Sequence, residues 1–239
     1  MNTFEDTNEL RAINSLKENR ISYLCIIFAI FTLSYENFFI GIITFFIILY
    51  LSYNDHKNSH KVKNILSIIH HYHHENNNFF SHFIQILLEL TVIGVFVPLY
   101  YIFGTIILNP WVLIFFILFY SSVHNINYSI LRVNTVHKLH HEFVGTNIGP
   151  DICDIIFGTK HPSEKCVENT SHYIPNIIIC TLIVLTMKYY WKNDANKKPM
   201  LFMLNSFLLA SFLLLIVTSI VLWNKEVKCD KKEKKNKFI

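Results

Sequence analysis

The chain has 239 residues, 52% of them hydrophobic, with 21 Phe and only six Gly. That is enough for one domain, and the apolar residues come in blocks too long for soluble helices. The formal charge of +4 is carried by segment 224–239, with seven lysines against three acids, so the body is neutral and nucleic acid is excluded as a partner.

Segment 1–20 is polar, nearly balanced in charge and without an apolar core, which argues against a cleavable signal peptide. Residues 21–53 are apolar except at Ser34-Tyr35-Glu36-Asn37. As one straight helix they would extend ~50 Å against a ~30 Å hydrocarbon core, so a tight hairpin turning at Glu36-Asn37 is expected over one long tilted helix. Residues 54–82 form a polar, histidine-rich window. The mostly apolar stretch 83–123 suffices for two spans with a break at Gly104 and Asn109-Pro110. Glu89 and Pro98 interrupt its first arm, and Glu89 is either a site carboxylate or one that snorkels to the surface. Such a hairpin returns the second polar window, 124–173, to the side on which the first one left.

A last apolar pair, 174–191 and 200–223, is joined by polar residues 192–199 and edged by Trp191 and Trp223. An even number of crossings puts the lysine tail on the histidine side. Lysines near the histidines and cysteines without a CxxC pair place that side in the cytosol, although Lys192, Lys197 and Lys198 in the opposite loop pull the other way. The expected fold is therefore all-α: a polytopic membrane helical bundle over 21–223 with a histidine-rich cytosolic metal-binding cap, between the polar segment 1–20 and the tail 224–239.

Ten of the thirteen histidines fall in two windows, 56–74 and 124–141. His56 and His60 form HxxxH, while His70, His73, His74 and His137, His140, His141 each form HxxHH, spread over about 100° of a helix face. Neutral imidazole is the commonest metal ligand, so convergent rings without thiols suggest a first-row metal. His71, His82, His161 and His172 lie off these patterns and read as ordinary polar residues. Glu142, Asp151 and Asp154 stand beside the boxes and are candidates to orient ligand imidazoles, whereas Glu75 reads as solvated. Gly145, Gly149 and Gly158 are half of the six glycines and predict tight turns after the last box.

HxxxH, HxxHH, an apolar hairpin, a lone His124 and a second HxxHH, followed by Asn147-Ile148-Gly149 and Asp154-Ile155-Ile156-Phe157-Gly158-Thr159, resemble the fatty acid hydroxylase and sterol desaturase superfamily of membrane di-iron enzymes. The resemblance spans roughly residues 54–160. It implies two iron ions, or zinc as isolated, held by His56, His60, His70, His73, His74, His124, His137, His140 and His141. It also implies O2 as co-substrate and hydroxylation or desaturation of a lipid, an acyl chain or a sterol. His161-Pro162 is not the heme motif of a fused cytochrome domain, so electrons are expected from a separate cytochrome b-type protein and its reductase. The third box departs from the pattern: in His124-Asn125-Ile126-Asn127-Tyr128 the expected histidine is replaced by Asn127, by Tyr128 or by water. The alternative is a non-catalytic membrane protein holding zinc or a degenerate pair of metals. The terminal Lys235-Asn236-Lys237-Phe238-Ile239 reads as an endoplasmic reticulum retrieval signal, and the sequons at Asn127 and Asn169 should then face the cytosol unmodified.

Overall fold

The computed structural model describes residues 8–61, 65–76, 78, 80–89, 108–164 and 166–197. Pro98, Gly104, the apolar run 200–223 and the tail 224–239 lie outside the described residues. Within them every regular element is helical.

Helix α1 (Asn8–Glu18) leads into α2 (Arg20–Ser34), a 3-10 turn (Tyr35–Asn37) and α3 (Phe38–Ser59). The backbone leaves the helical region at Ser34 (φ −129°, ψ 28°) and again at Asn37 (φ −151°, ψ 62°). Gly41 then packs against α2. A Cβ at Gly41 would overlap the Ser34 hydroxyl and lie 3.2 Å from Ile30 Cγ2. In one continuous helix residues 30 and 41 would stand about 16 Å apart, so α3 folds back on α2 as the expected hairpin. Ser34 is not free to move away, since its hydroxyl donates to the Ile30 carbonyl at 2.6 Å.

Helix α4 (Ile65–Glu75) carries the first HxxHH, and residues 80–89 are helical (α5). Helix α6 (Pro110–Ser122) starts where Asn109 caps it: the Asn109 side chain accepts from Trp111 N and Val112 N, and Pro110 occupies the first turn. The polar window expected from His124 onward does not end this helix. The chain continues as π-helix over Val123–Leu131 and stops at Arg132, which is left-handed (φ 52°). Side chains take up carbonyls there, Asn125 Nδ2 donating to Ser121 O and Ser129 Oγ to His124 O, which suits a wider turn than the α-helix provides. Short helices α7 (Val136–Glu142) and α8 (Asp151–Ile156) follow, then a 3-10 turn (Ser171–Tyr173) and α9 (Ile174–Lys197). Helix α9 thus runs through Lys192–Lys197, where a loop was expected. Lys and Ala are good helix formers and the first breaker is Pro199, so the change of polarity there does not end the helix.

Among the described residues, three helical runs are long and apolar enough to cross a membrane: Arg20–Ser59, which holds the hairpin, Pro110–Leu131 and Ser171–Tyr190. Within the second run 89% of the apolar window is buried, against 33% in each of the others, so α6 is the axis and α2, α3 and α9 pack around it. Phe28, Phe39, Phe46 and Leu182 point outward and stay exposed. Polar ties fasten both ends of α2. Asn19 Nδ2 donates to Glu168 O and Ser22 Oγ to Thr170 O at one end, while at the other Lys188 Nζ donates to Leu33 O and Glu36 Oε2, both at 3.0 Å. The lysine thereby neutralises a helix C-terminus.

Replacing Gly41 by Leu should lower stability in detergent by about 1–3 kcal/mol, the usual penalty for overpacking a close helix contact. Thermal melts followed by circular dichroism test this, and a wild-type melt for the Leu variant would mean that the two helices do not touch.

Candidate metal centre

Four elements converge at the end of the helices remote from the Lys188 tie. The last turn of α3 supplies His56 and the C-cap of that helix is His60, α4 supplies His70, His73 and His74, the π-helix supplies His124, and α7 supplies His137, His140 and His141. Their nitrogens form two groups. His56, His60, His70, His74 and His140 place five ligand atoms within 4.8 Å of one another, and His73, His137 and His141 do the same with three. Each HxxHH box is therefore divided. From α4 the i, i+4 pair His70 and His74 enters the first group and His73 the second; from α7 the pair His137 and His141 enters the second and His140 the first. Rings of His74 and His141, stacked at 4.0 Å, join the groups. The His124 ring lies 4.6 Å from that of His137 and 5.7 Å from that of His73, so it flanks the second group.

In the first group Nε2 faces Nε2: 3.1 Å for His56 and His140, 3.3 Å for His60 and His140, 3.0 Å for His60 and His70, and 3.0 Å for His70 and His74. A neutral imidazole has one N–H and one lone pair, and several of these rings use their N–H elsewhere. His140 Nδ1 donates to the Thr146 carbonyl at 2.7 Å and His141 Nδ1 to the His74 carbonyl at 3.4 Å. On His140 the proton thus sits on Nδ1, and its Nε2 lone pair points at Nε2 of His56 and of His60, where a cation could be held. A first-row ion with bonds of about 2.0–2.1 Å to nitrogen holds neighbouring ligand atoms about 3 Å apart, which is the spacing seen. The residues therefore fit a metal in each group.

Burial keeps these rings neutral, with neighbouring imidazoles acting in the same direction. His60 and His141 are pulled down to about 4, His140 to about 3 and His70 to about 2, while His73, His74 and His137 are also lowered. Lone pairs stay available for a metal at neutral pH.

All nine histidines singled out in the sequence lie in or beside the two groups. Asn127 and Tyr128 do not. Asn127 Nδ2 donates to His172 O and Asn176 Oδ1, both at 2.9 Å, and Tyr128 OH donates to Glu168 Oε1 at 2.6 Å. Their helix face turns toward α9, away from the imidazole nitrogens, and only the Tyr128 ring reaches the site, stacking on His137.

None of the three candidate orienting carboxylates has an imidazole among its bonded partners. Asp154 accepts from Ile148 N and Thr159 Oγ1 and closes the turn in which Gly158 is left-handed (φ +66°). Asp151 is buried against Lys160, and Glu142 pairs with Lys138 at the surface. The orienting carboxylate is Glu89, which accepts from His124 Nδ1. An acid in an otherwise apolar arm was its only signal in the sequence. His82, off the box pattern, is buried with its ring 5.3 Å from that of His73, so it too borders the second group.

A small, partly open cleft with a cavity volume of about 60 Å³ has apolar walls of Phe119, Val123, Ile148 and Tyr173 and reaches His56, His124 and His137. Compared with protein families, curated proteins and solved structures, the chain matches none of them.

In the unfolded chain these histidines titrate near 6.5, in the folded one near 4 or below. As pH falls below about 6.5 the unfolded state takes up protons first, so stability is full above that pH and declines as the pH falls toward about 2. The metal-free protein should therefore melt at lower temperature at pH 5 than at pH 7.5, and the slope should flatten when His70 and His140 are replaced by Gln. A pH-independent melt over this range would mean that the rings are solvated.

Proposed function

We propose that this chain is a polytopic membrane oxygenase whose two histidine groups each hold an iron ion and which hydroxylates or desaturates a lipid. The observation that carries this reading is the gathering of ligand nitrogens into two adjacent groups beside an apolar cleft. An alkyl C–H bond offers no acidic proton to a side-chain base, so its oxidation calls for a redox metal and O2, with electrons from a separate cytochrome b-type protein and its reductase.

The protein's own residues have three tasks. Buried imidazoles remain neutral and present lone pairs. Phe119, Val123, Ile148 and Tyr173 exclude water and align an acyl chain or sterol edge with the face formed by His56, His124 and His137. The outward apolar faces of α2, α3 and α9 set this cleft in a bilayer, from which such a substrate can arrive laterally. In this reading the histidines form a cytosolic cap on the endoplasmic reticulum membrane.

The purified protein in nanodiscs should bind two equivalents of iron. With O2, a reductant and a lipid mixture it should yield products heavier by one oxygen or lighter by two hydrogens, read by mass spectrometry. His140→Ala and His141→Ala should each lose metal and product while inserting normally, and His161→Ala should lose neither. One bound zinc and no product would replace this reading by a structural metal protein.

Sidedness has its own test. Asn127 is buried and hydrogen-bonded, so an unmodified Asn127 is uninformative, whereas Asn169 is exposed and can report. Asn169 should carry no glycan in microsomes; a glycan there would put the histidines in the lumen, away from cytosolic electron donors.

A further inference from the structure

Helix α5 has no residue in either ligand group, yet two of its side chains connect them. Gln85 and Glu89 stand one turn apart, 3% and 8% exposed. His70 Nδ1 meets Gln85 Oε1 at 3.4 Å, Gln85 Nε2 donates to Glu89 Oε1 at 3.1 Å, and the same oxygen accepts from His124 Nδ1. The other carboxylate oxygen accepts from Ser121 Oγ and from Asn125 Nδ2, the latter at 2.8 Å. One hydrogen-bonded chain thus runs from His70 in the first group to His124 beside the second.

The donors and acceptors allow this chain only one direction. A carboxylate only accepts, so the amide of Gln85 must turn its NH2 to Glu89 and its oxygen to His70. His70 then carries its proton on Nδ1, and its Nε2 lone pair faces His60 and His74. By the same logic Glu89 holds the proton of His124 on Nδ1. That leaves His124 Nε2 as a lone pair, buried and without a hydrogen-bond partner, beside His137 and His73. A carboxylate in an apolar arm is expensive, and packing alone would be served by Leu. We infer that Gln85 and Glu89 are positioning residues that fix the tautomer of one ligand in each group, and that Glu89 thereby makes His124 the fourth nitrogen of the second group.

The inference rests on the two-metal reading, and metal counting separates the two. The full chain, purified in detergent and stripped by chelation, is titrated anaerobically with Co²⁺, which reports ligand number through its visible spectrum. Wild type should bind two equivalents. Glu89→Gln should weaken one of them by about 10–100-fold, the usual effect of losing a ligand's orienting partner. Glu89→Asp should restore part of that loss, because a shorter carboxylate still only accepts. Adding His141→Ala to Glu89→Gln should abolish the equivalent already weakened and leave the other at wild-type affinity, whereas adding His74→Ala should weaken the other equivalent as well. Gln85→Leu should weaken the other equivalent. A thermal melt confirms folding of Glu89→Gln, a near-isosteric change. Two equivalents bound by Glu89→Gln with wild-type affinity and spectrum would overturn the inference alone. Fewer than two in wild type would overturn it together with the reading beneath it.

Discussion

The structure depends on keeping a crowd of imidazole lone pairs neutral, dry and facing one another. Protonating one ring would set a charge beside the others in a poorly solvated space, and burial pulls their titration far below the usual histidine range. Such a cluster cannot be held by one segment. It needs rigid elements arriving from several directions, and here α3, α4, the π-helix and α7 all deliver rings to the same few ångströms. The membrane-compatible helices are the frame on which those four arrivals are fixed.

That frame is apolar outside as well as inside, so its few polar contacts carry much of its specificity. Thr44 Oγ1 accepts from Asn109 N, which sets the start of α6 against α3. Asn19 bonds both Glu168 O and Thr170 N, joining the start of α2 to the segment before α9. Between these ties the contacts are methyl groups and rings such as Phe45 edge-on to Phe116, which fill space without choosing a register. At the site end, Tyr53 OH meets Thr159 Oγ1 at 2.5 Å, and Gly149 lies so close to the Tyr53 ring that a Cβ would come within 2.7 Å of it. The turns on either side of α8 are thus seated on α3 beside His56.

The histidine spacing made the clustering of the rings legible, because i, i+3 and i+4 on a helix share a face whatever the tertiary context. Hairpin folding at Glu36-Asn37 was legible too, since the apolar run is too long for one span. Division of each box between two groups was not, because it depends on how α4 and α7 approach each other. The continuation of α6 past His124 was hidden by composition: Asn125, Asn127 and Ser129 read as loop residues, but in a buried setting their side chains take up carbonyls and partners on α9. The orienting carboxylates were misplaced for a related reason. Nearness in sequence pointed to Glu142, Asp151 and Asp154, while nearness in space belongs to Glu89, which precedes His124 by 35 residues.

Sharing each box has a consequence for how the centre behaves. With α4 giving a pair to one group and a single ring to the other, and α7 doing the reverse, neither helix can shift without disturbing both groups. The stacked His74 and His141 rings and the Gln85 to Glu89 chain add two further links across the same gap. A pair of independent metal sites would tolerate small motions of one helix by losing one site. Here the geometry converts any such motion into a change at both, and an ion held in one group would fix α4 and α7 in the relation that the other group has. In the third box His124 is held from α5 by Glu89, while Asn127 and Tyr128 anchor the π-helix to α9 and to segment 168–173.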